Sequence, residues 1–280
     1  MLHRPKFHEV MEYGNPGLCS MSPPAGLGCR MLGADSIPVP PPPLSGMTLW
    51  LQGNDNATAG NDFSWPDHSG NGNPAWTGSG PVGQNPTPSS AINGQRSVSF
   101  VANSAQFAEN APGDPSLGGL LGATGLNWSA FVVFNYTGTT AIGSYATTPG
   151  TLTDENLYWG ILVGTPDSGT TITVWGYNYA APNEGVTKTG LAAGPHIAAF
   201  IENGTGVNNL SLAIDGGTPT LGTGTAVGGL ADSQLYVGHG DGNPFWQGAI
   251  GDVIVYDRTL SSAEQTTVVT YLGNKYGITV

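Results

Sequence analysis

Charge is what this sequence has least of. Asp, Glu, Lys and Arg make up 9% of its 280 residues, against about 25% in an ordinary globular chain. Only seven residues are Lys or Arg, and the formal net charge is −12. A sequence-independent hold on nucleic acid needs a basic patch to neutralise phosphates, and seven scattered cations do not form one. The same shortage excludes a polybasic grip on an anionic membrane. No apolar run approaches the ~20 residues of a membrane-spanning helix. The opening residues, Met1 to Glu9, lack the apolar stretch of a signal peptide. The expectation is a protein with no membrane insertion and no nucleic-acid partner, made in the cytoplasm.

Cysteine is nearly as scarce. Cys19 and Cys29 are the only two. Their spacing permits a local disulfide and equally two free thiols. A zinc site would need two more ligands, for which His3 and His8 are the only local candidates.

What is abundant is glycine, with 44 residues, and proline, with 22. Hydrophobic residues still make up 39%, with seven Trp, ten Tyr and eight Phe, enough for a packed core. Turn formers mixed with aromatics and β-branched residues point to a turn-rich β protein.

Composition changes near residue 46. Residues 1–46 hold Pro23-Pro24 and the run Pro38-Val39-Pro40-Pro41-Pro42-Pro43, which reads as a stiff polyproline II spacer. Three bases and three acids make this arm neutral, leaving four bases and sixteen acids for the rest. Residues 47–280 read as one β-sandwich. Short apolar runs between Gly, Asn, Asp and Thr turns predict strands over 48–52, 97–101, 129–136, 157–163, 171–177, 196–201, 210–214, 235–238 and 249–256. One helix follows. Ser261-Ser262-Ala263-Glu264 is a capping box, Val268, Tyr271, Leu272 and Tyr276 form a helical stripe, and Gly277 closes it. The helix is expected to pack at the end of the sandwich.

Several of these segments resemble a known family. Phe245–Ser261, with the helix ending Tyr271-Leu272-Gly273-Asn274-Lys275-Tyr276-Gly277, resembles the closing strand and helix of laminin-G-like, concanavalin A-like jelly rolls. Leu49-Trp50-Leu51 and Trp65-Pro66-Asp67-His68-Ser69-Gly70-Asn71-Gly72-Asn73 are similar to the family's opening strand and loop. Pro195–Phe200 and Leu212–Gly216 resemble its middle hairpin. The resemblance covers about residues 46–280 and implies a concanavalin A-like jelly-roll β-sandwich. It implies little about function, because the fold hosts lectins, hydrolases and adhesive domains. The conspicuous loop residues read as structural. Arg258 is placed to pair with a carboxylate or cap the helix, and Ser69-Gly70-Asn71-Gly72 suits a tight loop.

Catalytic signatures are missing. The laminarinase-like branch of the fold requires acids in the order Glu-x-Asp-x-(x)-Glu on one strand, so that alternation aims them together. No such triplet occurs, and Asp154-Glu155 would point to opposite faces. Neither a Gly-x-Ser-x-Gly elbow nor a His-Glu-x-x-His pair is present. The reading is not an enzyme. His196 opens an apolar strand and reads as a hydrogen-bonded structural residue. Calcium is the candidate cofactor, with Asp55, Asp67, Asp215 and Asp241 as candidate ligands, but none has the spacing of a defined site. The five Asn-x-Ser/Thr sequons read as coincidental in so Asn-, Ser- and Thr-rich a chain.

The binding signal is aromatic. Alternation over 171–179 puts Thr171, Thr173, Trp175, Tyr177 and Tyr179 on one face and Ile172 and Val174 on the core face. Trp175, Tyr177, Tyr179 and Asn178 are the candidate glycan contacts; packing of these rings under a loop is the competing reading. Leu2, Phe7, Val10, Met11, Tyr13 and Leu18 are the arm's candidate anchoring residues. A leaderless chain with a proline-rich arm and a low-charge sandwich fits a non-catalytic component of a virus particle. Such a component, a bacteriophage decoration or tail protein, would be assembled in the host cytoplasm. Its arm would contact other virion proteins in a larger assembly, and its jelly roll would face host or environmental glycans. An extracellular carbohydrate-binding module is the alternative, and a glycoside hydrolase fits less well.

Overall fold

The computed structural model describes Pro42 and residues 45–53, 63–79, 85–109, 127–137, 150–154, 159–164, 172–178, 185–204, 206–224, 235–239 and 245–280. The arm residues Leu2, Phe7, Val10, Met11, Tyr13 and Leu18, both cysteines, Asp55, Tyr179 and Asp241 lie outside them.

Sixteen strands, one 3-10 turn (Ala102–Ser104) and one α-helix form the described part. In chain order the strands are β1 (Met47–Leu51), β2 (Ser64–Trp65), β3 (Trp76–Ser79), β4 (Thr87–Ile92), β5 (Gln95–Phe100), β6 (Phe107–Glu109), β7 (Asn127–Tyr136) and β8 (Gly150–Asp154). They continue with β9 (Trp159–Gly164), β10 (Ile172–Asn178), β11 (Val186–Leu191), β12 (Pro195–Asn203), β13 (Gly206–Ile214), β14 (Thr220–Gly224), β15 (Leu235–Val237) and β16 (Gly248–Tyr256). The helix α1 spans Ser262–Tyr276. All nine predicted strands are present, with ends shifted by a few residues.

The strands make two eight-stranded antiparallel sheets. The first runs β14-β13-β12-β7-β16-β5-β4, with β1 also paired to β16; the second runs β11-β10-β9-β8-β15-β6-β3-β2. This is a concanavalin A-like jelly-roll β-sandwich. Between the sheets lies one apolar core that includes Trp65, Trp76, Phe100, Trp128, Phe134, Phe200 and Trp246. Burying each such ring contributes roughly 1.5–3 kcal/mol. The sheets approach closely at Gly176, where an added Cβ would lie 2.6 Å from the Phe200 ring.

A second apolar layer separates the first sheet from α1 and includes Trp50, Phe131, Val133, Ile197, Tyr256, Val268, Leu272 and Tyr276. The helix therefore covers the outer face of the first sheet instead of capping the end of the sandwich. The physical reason is visible in the strands. All nine residues of β16 are buried, as are Trp128 to Phe134 in β7. A strand covered on both faces reads as a continuous apolar run and not as an alternation. The second sheet alternates in part, as in Leu235-Tyr236-Val237, buried, half-buried and buried, although Thr173 on its other face is buried too.

Candidate functional site

The loop after β2 clasps the first strand. Asp67 Oδ1 accepts hydrogen bonds from the Trp50 and Ser69 amides at 2.8 and 2.9 Å. Its Oδ2 accepts from Ser69 Oγ and Asn73 Nδ2, both at 2.6 Å. Asn71 Nδ2 donates to the Met47 carbonyl at 2.8 Å, and Gly70 and Gly72 take the positive φ values that the tight turn requires. Asp67 is thus engaged in holding the loop against β1.

A buried ion pair fixes the helix to the sheet. Asp252 on β16 is fully buried. It accepts from Trp50 Nε1 at 3.1 Å, the Gly53 amide at 2.8 Å, Lys275 Nζ at 2.9 Å and Tyr276 Oη at 2.7 Å. Desolvation, then the Asp252 charge, pushes the Tyr276 phenol well above its ordinary value. At the other end of α1, Ser261 and Glu264 form the expected capping box. Arg258 pairs with Glu264 through two bonds of 3.0 and 2.6 Å and donates to the Ser45 carbonyl. The Arg258 bond, with those from Ser261, holds the Glu264 carboxyl down at about 2.

His196 and Asp215 meet across the β12–β13 hairpin. His196 Nδ1 lies 2.6 Å from Asp215 Oδ2, and Nε2 lies 2.9 Å from the Ala192 carbonyl. The other carboxylate oxygen accepts from the Ile197 amide at 2.7 Å. Burial opposes the imidazolium, but the Asp215 and Ala192 bonds and the Asp215 charge together raise the His196 pKa above 6.5. His196 is the hydrogen-bonded structural residue expected. Asp67 and Asp215, two of the calcium candidates, both serve internal contacts. Among the described residues no cluster of three His, Cys, Asp or Glu side chains is placed to hold a metal.

Glu202, also fully buried, accepts a hydrogen bond from Trp128 Nε1 inside the sandwich. A groove of about 350 Å³ beside α1 is lined by Ala199, Ala213, Gln265, Thr266 and Val269 among others, with no ionisable side chain. Neither place gathers converging reactive groups at the surface.

The outer face of the second sheet does gather groups. Phe107 on β6, Tyr236 on β15, and His239 and Phe245, which form a bridge just beyond β15, make one ring cluster. Phe107 lies 5.3 Å from Tyr236, 4.9 Å from His239 and 6.1 Å from Phe245, centroid to centroid. His239 is 5.1 Å from Tyr236 and 5.0 Å from Phe245. All four are half-buried, whereas Ala108, Leu235 and Val237 between them are buried in the core. Gly238 permits the turn, with φ +88° and the Phe100 ring 2.6 Å from where a Cβ would stand. Glu109 and Thr77 sit beside Tyr236 in register.

The sequence-predicted stripe is on this same sheet. Ile172, Val174 and Gly176 face the core. Trp175 and Tyr177 pair with Leu162 and Gly160 in the opposite register, while Asn178 falls in the register of Val174. Thr173, expected on an exposed stripe, is only 4% exposed, so the stripe is not bare along its whole length. The ring cluster went unread in the sequence because its members come from three separate segments. The only local clue was a single aromatic between small or aliphatic residues in very short strands.

No family model matches the chain, and no curated protein matches its sequence. Solved structures do resemble it in fold. Domain 4 of AbnA, a GH43 extracellular arabinanase from Geobacillus stearothermophilus solved in complex with arabinotriose, is similar with a TM-score of 0.53 at 13% identity. That match covers 80% of this chain and 98% of the other. The binding domain of botulinum neurotoxin DC, solved with rat synaptotagmin II, is similar with a TM-score of 0.54 at 9% identity. The match covers 82% of this chain and 52% of the toxin domain. At these identities the likeness concerns the architecture alone: a jelly-roll β-sandwich.

Proposed function

We propose that this chain is a non-catalytic adhesive domain that binds glycan on the outer face of its second sheet. The observation that carries the reading is the half-buried cluster of Phe107, Tyr236, His239 and Phe245 beside Glu109 and Thr77. Aromatic faces take the CH-rich faces of sugar rings, and adjoining polar groups fix their orientation. The arabinotriose complex of the arabinanase domain supports the choice of ligand class. The carboxylates of Asp67, Asp215 and Asp252 are each engaged by internal donors, and Glu202 is sealed in the core. None of these four is set out as half of an acid pair, which supports a binding role over hydrolysis.

The domain's setting, in the same proposal, is the surface of a virus particle such as a bacteriophage, held there by residues 1–46. The support is compositional: a neutral, proline-rich arm ahead of an acidic sandwich that has few cations. A free extracellular carbohydrate-binding module is the second reading, favoured by the same ring cluster. Calorimetric titration of the full chain with neutral oligosaccharides tests the binding. Saturable binding lost in Tyr236→Ala supports it, and heat of dilution alone refutes it. Mass spectrometry of purified particles against culture supernatant separates the two settings.

A further inference from the structure

The two ends of β16 carry different things. At its last residue the chain enters the sandwich. Met47 pairs with Tyr256, the Asp257 amide donates to the Gly46 carbonyl at 2.9 Å, and Arg258 Nε donates to the Ser45 carbonyl at 3.0 Å. Gly46 takes a left-handed φ of +71°, and a Cβ there would stand 2.8 Å from Asp257 Oδ1. Arg258 is itself forked onto Glu264 in the first turn of α1. The entry is therefore fixed to both the sheet and the helix, and its direction is set by the fold.

The ring cluster stands at the other end of the same strand. The Trp246 amide, just before Gly248, donates to the Gly238 carbonyl at 2.9 Å, and the bridge between His239 and Phe245 adjoins it. Gly248 pairs with Phe100 at the close of β5, and the turn at Ala102–Ser104 leads from there to Phe107. Entry and cluster are thus separated by the nine residues of β16, roughly 27 Å along the strands. The C-terminal residues share the cluster's end, on the helix side. α1 starts beyond Tyr256 and runs back until Tyr276 lies over Gly251, and the Ile278 amide donates to the Gly273 carbonyl. Val280 lies against Gly216, in the turn whose Asp215 amide donates to the Ile197 carbonyl. Pro195 of that same strand pairs with Asn135, which also pairs with Ala249 near the start of β16.

We infer that the chain is a two-ended connector, held at the end where Ser45 and Gly46 enter and meeting its glycan at the opposite end, an inference that rests on the glycan-binding reading above. The glycan it takes then belongs to a surface facing the one that holds the chain, not to the holder itself. Copies held by their entry ends turn their clusters outward together, so weak single contacts add up on a glycan-coated partner; copies held by the cluster end lose that sum, because the geometry forbids simultaneous engagement.

The test immobilises the full chain through a single azide-bearing residue, placed either at Ser45 or at Thr279, both exposed. Each surface is offered beads coated with arabino-oligosaccharide or gluco-oligosaccharide, and each variant is titrated in solution with the same free sugars. Free sugar should bind both variants equally, and a melt of each confirms that it is folded. Chains held at Ser45 should capture beads, and chains held at Thr279 at least about tenfold fewer. Equal capture by the two surfaces, or more by the Thr279 surface, would overturn the two-ended arrangement and leave glycan binding standing. Failure of every free sugar to bind either variant would instead remove the reading beneath it, and this inference with it.

Discussion

The helix side of the sandwich and the outer face of its second sheet handle polar and aromatic groups in opposite ways. Beneath α1, Trp50 and Tyr276 turn their polar atoms onto one fully buried carboxylate, Asp252, and Lys275 neutralises it. On the other side, four rings gather on a surface that keeps them half-buried. A buried ion pair tolerates no missing partner, because each remaining group has lost its water. A part-exposed ring cluster tolerates truncation, because water refills the space. One face is therefore committed to stability, and the other can be altered with little cost to it.

The strongest way to break this contrast is Asp252→Ala. It strands Lys275, Trp50 Nε1, the Gly53 amide and the Tyr276 hydroxyl at once, and should cost about 3–5 kcal/mol in a urea melt. Lys275→Met leaves the fully buried carboxylate without its counter-charge and should cost a comparable amount. On the opposite face, Phe107→Ala and Tyr236→Ala should each preserve cooperative unfolding while weakening glycan binding by on the order of 1 kcal/mol. If either unfolds the domain, the cluster belongs to the core and the contrast between the faces fails.

Smaller effects sharpen the picture of the helix side. Ser261→Ala removes the cap at the start of α1 and should lower stability by about 1 kcal/mol. Acid should act at the same place, since the Glu264 pKa is depressed from 4.5 to about 2. Its contribution is present above 4.5 and lost as pH falls through the folded value. His196 has the opposite sign. Its raised pKa gives stability that is whole below 6.5 and fades as pH climbs through the folded value. Thermal melts of wild type and His196→Gln from pH 5 to 9 should therefore converge at the alkaline end. Curves that stay parallel would show that the imidazolium contributes nothing.

The sandwich was legible where the sequence alternates or runs apolar over five residues or more. It was illegible in seven strands, and these share a chemistry. β4, Thr87–Ile92, has one buried residue in six, and β14 reads Thr-Leu-Gly-Thr-Gly. Such segments are held by ladder bonds to better-buried neighbours, not by an apolar face of their own. The helix was readable to its caps because Ser261, Glu264 and Gly277 act locally. Its position was not, because only the double-sided burial of β7 and β16 records the third layer. The ring cluster of the candidate site was not legible, because Phe107 and Tyr236 are 129 residues apart and meet only through the β6–β15 pairing.

The pairing of β1 with β16 joins Leu49 to Val255 and Leu51 to Val253. β16 also separates β7 from β5, so the last strand of the chain is the keystone of the first sheet. During synthesis, β1, β5 and β7 must wait without their common neighbour until β16, Gly248–Tyr256, has been made. Closing a contact over some 200 residues is slow, and exposed strand edges can pair wrongly in the meantime. The scarcity of Lys and Arg leaves few charged gatekeepers along those edges. Closure of the first sheet therefore cannot precede synthesis of β16, and its yield should depend on how quickly Gly248–Tyr256 is delivered.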